Sequence, residues 1–138
     1  MTGRLQGALG VATLVAMLLV GLASAQAARQ PTAPEAKALI RVALRACEGH
    51  GPPGSTCEFR GARVSTRNPH FAWVDMTTDG FSGALLKRPR KTGANFHVIA
   101  IQGGGIELCS KWRKKAPKPV LADLHIVGLR ANGSTGRC

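Results

Sequence analysis

Four cysteines, Cys47, Cys57, Cys109 and Cys138, all lie downstream of an export-type leader, and this combination constrains the chain more than any other feature. The leader opens "MTGR", continues through "LQGALGVATLVAMLLVGLASAQA", and closes its apolar run on the small-x-small triplet Ala23-Ser24-Ala25. One positive charge, an apolar stretch and small residues at a cleavage position are the order of a secretory signal peptide, so removal of residues 1–25 after Ala25 is expected, with Ala27 as the second choice. An uncleaved anchor is the alternative reading, but the run from Leu9 to Ala23 is shorter than the roughly 20 apolar residues a span needs. No cysteine ends the run for lipid attachment and no twin arginine precedes it. In an oxidising compartment an even cysteine count reads as two disulfides, for which three pairings exist. Cys47 with Cys57 is preferred because it closes the turn-rich loop "EGHGPPGST", and Cys109 with Cys138 because it ties a polar tail to the body. Each bridge would stabilise by roughly 2 to 4 kcal/mol, large against the total for a small domain. A zinc site on the same residues is not expected, since no C-x-x-C pair occurs.

Removing the leader leaves 113 residues (138 less 25), enough for one domain, read as a flexible entry at 26–33 followed by a single disulfide-containing domain at 34–138. The formal charge falls from +12 to +11 as Arg4 departs. So strong a positive field draws anions and speeds encounters with them, while saying nothing about the fold.

"TAPEAKALIRVALRAC" predicts the one strong helix. Thr32 and Glu35 have the spacing of a capping box, Pro34 stands in the first turn where its missing N–H does no harm, and no breaker follows before Gly49. Ala36, Leu39, Ile40, Ala43 and Cys47 recur at helical spacing as a core face, and Lys37, Arg41 and Arg45 form a solvated basic stripe. Beyond the loop, "CEFRGARVST", "HFAWVDMTT", "SGALLKR" and "NFHVIAIQ" predict four strands separated by turn signals. In the fourth, strict alternation would put Phe96, Val98 and Ala100 on one side and His97, Ile99 and Ile101 on the other; both sides are partly apolar, so a central position is expected. "GGG" at 103–105 forces irregular backbone, and "PVLADLHIVGL" predicts a short helix or strand. The expected fold is therefore α+β: one N-terminal helix packed on an antiparallel sheet of about four strands, with the C-terminal segment as a clasp.

"RVST", "FAWVDM", "LLKR", "NFHVIAIQGG", a cysteine and then "PVLADL" together resemble a family of small exported actinobacterial proteins of unknown function, over most of the chain from the helix to Leu124. The resemblance implies an export signal, a compact α+β domain and disulfides, and it brings no catalytic residues. The Lys and Arg density between 111 and 118 departs from it.

Catalysis needs a nucleophile, an acid or base, or a metal within mutual reach, and no such constellation is recognisable. The four histidines, His50, His70, His97 and His125, fall one per segment, with no H-E-x-x-H, H-x-H or G-x-S-x-G motif. "GFSGA" around Ser82 lacks the fifth-position glycine and leads into a strand where a nucleophile elbow needs a helix. Asp75 and Asp79 read as bracing a hairpin. A nuclease would require Glu58, Arg60, His70 and His97 to converge. "QGGGIE" resembles a phosphate cradle but has no following G-K-[ST]. A non-enzymatic protein with no cofactor and no metal is expected.

Two basic clusters remain: Lys87, Arg88, Arg90 and Lys91, then Lys111, Trp112, Arg113, Lys114, Lys115 and Lys118. Such residues neutralise phosphate or sulfate and release counterions, and a tryptophan among them can stack on a base, a sugar or a headgroup. If the first cluster ends the third strand and the second follows the fourth, they share one edge. The expected function is then a secreted, basic, monomeric protein binding an anionic polymer, nucleic acid or an envelope surface, with no membrane span after cleavage. The plain alternative is edge protection by charge, with Trp112 packed beneath the disulfide. A different alternative is an extracellular protein-interaction module, such as a protease inhibitor, presenting the Cys47–Cys57 loop pre-stiffened by Pro52 and Pro53.

Overall fold

The computed structural model describes residues 27–78, 80–90 and 95–138. The leader, Asp79 and Lys91 lie outside the described residues.

Helix α1 (Ala33–Glu48) starts where its capping box requires: the Thr32 hydroxyl accepts from the Glu35 N–H, and the Glu35 carboxylate accepts from the Thr32 N–H at 3.0 Å. Its buried face, Leu39, Ala43 and Cys47, lies on a four-stranded antiparallel sheet of order β1-β2-β3-β4, comprising Glu58–Val64, Phe71–Thr78, Phe81–Lys87 and His97–Gly103. The Cys47–Cys57 disulfide ties the end of α1 to the approach to β1.

Alternation along the strands divides the sheet into two faces, and both are covered. Ala72, Val74 and Met76 of β2 with Ala84 and Leu86 of β3 pack under α1. Phe71, Trp73 and Leu85 face the opposite way, into a second core built by the C-terminal third of the chain. That third contains α2 (Cys109–Arg113), α3 (Lys118–Asp123) and a two-stranded sheet of β5 (Val127–Leu129) and β6 (Thr135–Arg137). The Cys109–Cys138 disulfide closes it, and Gly128 is required there because a Cβ would stand 2.6 Å from Cys138 Sγ.

β4 is an edge strand, which corrects the central position expected from its two apolar sides. Those sides report burial above and below the sheet, not a neighbour on either flank. Strict alternation also fails: Leu85 pairs with Ala100 but Leu86 with Val98, so Ile99 is an extra residue. Phe96, Val98 and Ile101 consequently join the helix-side core, while Ile99 and Ala100 join the other. The segment after Pro119 supplies both a helix and a strand.

A buried carboxylate fastens the clasp to the sheet. Asp123 accepts from Ser65 Oγ and the Thr66 N–H, both at 2.7 Å, and from the Arg67 N–H at 3.3 Å. Burial works against its ionised form, but the hydrogen bonds from Ser65, Arg67 and Thr66 outweigh that and hold its pKa below the usual carboxylate value.

Helix α3 ends in a Schellman motif: Ile126 N–H donates to Leu121 O at 3.0 Å and His125 N–H to Ala122 O at 3.1 Å. The position between them requires the left-handed region, and His125 occupies it at φ 54° where glycine is the usual residue. His125→Gly is expected to raise the urea midpoint by the equivalent of about 1 kcal/mol; an unchanged or lower midpoint would show that the imidazole contributes contacts of its own.

Candidate functional site

The ends of β3 and α2 bring the two basic clusters to one groove. On one side, Phe71 pairs with Lys87 and the Arg88 N–H donates to His70 O at 2.8 Å, so the sheet pairing carries the chain outward through Pro89 and Arg90. On the other, Trp112 and Ala116 are buried four residues apart, joined by the Ala116 N–H to Trp112 O bond at 3.1 Å. With both anchors turned inward, Arg113, Lys114 and Lys115 between them are exposed.

The groove has a volume of about 680 Å³ and is lined by Lys87, Arg88 and Arg90 from the first cluster and Arg113, Lys114 and Lys115 from the second. Asn68, His70, Phe71, Pro89, Ala116 and Pro117 complete its lining, and no carboxylate is among them. Six like charges around one opening make a concentrated positive potential. Lys87 Nζ stands 5.4 Å from the Phe71 ring centre, and the Arg88 guanidinium 5.1 Å from that of Phe96 and 3.6 Å from the Glu35 carboxylate. Arg113 donates to the Cys138 carbonyl at 3.5 Å. Among the described residues Arg90, Lys114 and Lys115 make no ion pair.

Three residues of the expected site stand elsewhere. Trp112 is fully buried, its ring edge-on to Trp73 at 5.6 Å and 74°, so it cannot stack on a ligand and serves as the foundation under the cluster. Lys111 pairs with Glu107 at 2.7 Å, one helical turn back and outside the groove lining, and Lys118 begins α3, also outside it. His70, expected only as part of a nuclease arrangement, instead lines the groove, and its Nδ1 is buried without a hydrogen-bond partner. Its position two residues from Asn68, whose side chain accepts from the His70 N–H, follows from the turn and not from any motif.

The catalytic arrangements considered from sequence come apart in space. Glu58 pairs with Arg60 at 3.3 Å near the end of β1 opposite Thr77, whereas His70 and His97 flank the other end of the sheet beside Lys87. Ser82 Oγ donates to the Gly103 carbonyl at 2.9 Å. Asp75 is ion-paired with Arg63 and accepts from Trp73 Nε1 at 2.6 Å, bracing the sheet. Among the described residues no group of three or more His, Cys, Asp or Glu side chains is placed to hold a metal, and no helix is long and apolar enough to cross a membrane.

Comparison with protein-family models, with curated proteins and with solved structures gives no match, so the geometry of the groove carries the functional reading by itself.

Glu35 links the groove to the fold, since its carboxylate binds the Arg29 guanidinium at 2.8 and 2.9 Å as well as facing Arg88. The Arg29 hydrogen bond, against the cost of burial and with help from the Thr32 N–H, holds its pKa down at about 2. Its stabilising contribution is complete above an unfolded-state pKa of about 4.3 and drains away as the pH falls from there through 2. Urea unfolding across that window is expected to cost the wild type on the order of 2 kcal/mol more than Glu35→Gln; parallel curves would contradict the assignment.

Proposed function

We propose that this is an exported protein that binds an anionic polymer in the groove between the β3 end and the α2 end, acting by binding and not by catalysis. One observation carries the reading: six Lys and Arg side chains from two chain segments line a single opening that has no carboxylate. Basic residues that merely solubilise a surface are interspersed with acids or point apart. Here like charges are gathered by the tertiary structure, an arrangement that repels itself until anions arrive. The two disulfides support placing the protein outside the reducing cytoplasm.

The groove is open, and its charges lie along two walls without a buried hydrogen-bonding cage. That suits repeated phosphates or sulfates on a flexible strand better than one small anion held by shape. Since Trp112 is buried, recognition is by charge, with stacking limited to guanidinium planes such as that of Arg90.

A comparison of charge-matched variants against a labelled single-stranded oligonucleotide tests this. Arg90→Ala/Lys114→Ala/Lys115→Ala is expected to weaken binding strongly and to lower the slope of log affinity against log salt by about 2. Lys37→Ala/Arg41→Ala/Arg45→Ala, on the exposed stripe of α1, removes the same charge and is expected to leave the slope nearly intact. Equal losses in both would mean diffuse attraction to the whole molecule and would reject the groove as a site.

A further inference from the structure

A second surface, separate from the groove, combines apolar exposure with basic groups. Four large apolar side chains are exposed among the described residues, and three of them, Ile106 at 57%, Leu108 at 53% and Val127 at 42%, belong to β5 or to the segment bridged to it. Leu108 forms a parallel bridge with Leu129, and the Leu129 N–H donates to Glu107 O at 2.9 Å. Continuing the parallel register two residues back along each segment puts Ile106 on the same side as Val127. Gly128 faces the Cys109–Cys138 disulfide, so Val127 and Leu129 face away from it, and by the same alternation Glu107 leaves this side. The result is an outward apolar strip of four aliphatic side chains with no carboxylate on it.

The strip ends in positive charge. Arg137 is the cross-strand partner of Val127, on the same face, and also lines a cavity of about 480 Å³ with Arg67 and His125. Neither Arg67 nor Arg137 makes an ion pair among the described residues. The one carboxylate in that cavity, Asp123, is already engaged by Ser65, Thr66 and the Arg67 N–H. An aliphatic strip leading through Arg137 into a two-arginine cavity has the layering of a bilayer surface, with acyl chains next to phosphates.

We propose that this face docks on an anionic phospholipid membrane, the strip entering the acyl boundary and the Arg67–His125–Arg137 cavity holding a lipid phosphate. Charge argues against a second copy of the chain as the occupant, since a body of formal charge +11 without its leader repels itself. This goes beyond the polymer-binding reading and uses different residues.

Flotation with phosphatidylcholine vesicles, with and without phosphatidylglycerol, tests it on the oxidised protein lacking its leader. The wild type is expected to bind the anionic vesicles. Ile106→Ser/Leu108→Ser is expected to bind them about tenfold or more weakly while binding the oligonucleotide as before. Arg67→Ala/Arg137→Ala is expected to lose the preference for phosphatidylglycerol. Hydrogen exchange of the wild type on vesicles, which needs no variant, is expected to show protection at 106–108 and 127–129. Vesicle binding that survives the Ile106/Leu108 change but vanishes in Arg90→Ala/Lys114→Ala/Lys115→Ala would overturn the proposal and assign lipid to the groove. So would a dimer in solution that the Ile106/Leu108 change dissociates, or absence of vesicle binding by the wild type.

Discussion

The edge-to-face contact between Trp73 and Trp112 joins the two parts of this molecule, and the position of the second basic cluster relative to the first depends on it. A sheet with only α1 against it would leave Phe71, Trp73 and Leu85 in water, a loss of roughly 1.5 to 3 kcal/mol for each large side chain. The C-terminal third removes that exposure by setting Trp112, Val120, Leu121, Leu124 and Ile126 on the far face. The Cys109–Cys138 disulfide keeps this second layer closed, and Asp123 bolts it to the turn at Ser65–Arg67. The outcome is a sheet sandwiched between one long helix and a short, cross-linked clasp.

The groove is a by-product of that closure. With Trp112 fixed under the sheet, the three residues that follow it cannot move away from the end of β3, and the charges at 87–90 and 113–115 meet whether or not a ligand is present. Natural folds separate like charges when nothing is gained by gathering them. Here only Arg88 and Arg113 have protein acceptors, Glu35 and the Cys138 carbonyl, and the other four basic side chains of the lining have no ion-pair partner among the described residues. The aliphatic strip on the small sheet has the same origin, because β5 and β6 turn one face to the disulfide and leave the other in solvent.

Much of the framework could be read from residues with local rules. The capping box at Thr32 and Glu35 fixes the start of α1 without reference to the rest of the chain, and the strand segments follow from alternation bounded by turns. The preferred disulfide pairings, one for the turn-rich loop it closes and one for the polar tail it ties down, are those of the structure. What escaped was set by tertiary contacts. Whether β4 is central or an edge depends on whether a strand pairs on each flank, which its apolar pattern does not record, and the extra residue at Ile99 has no signature in "NFHVIAIQ". The short helix α2 hides within a run of lysines, and nothing in that run decides between Trp112 as a ligand platform and Trp112 packed inward; its burial against Trp73 selects the second. Asp123 carried no signal because its partners lie almost sixty residues away. Of the basic residues, the members of the groove and those outside it, Lys111 and Lys118, are indistinguishable by type or spacing.

The most direct test of the central claim, that two distant basic clusters act as one site, is a lysine-acetylation footprint read by mass spectrometry as a single-stranded polyanion is titrated in. Lys87, Lys114 and Lys115 are expected to become protected together, with one common midpoint, while Lys37 on α1 keeps its reactivity. Protection of Lys37 in step with the others, or separate midpoints for Lys87 and the pair at 114 and 115, would contradict it.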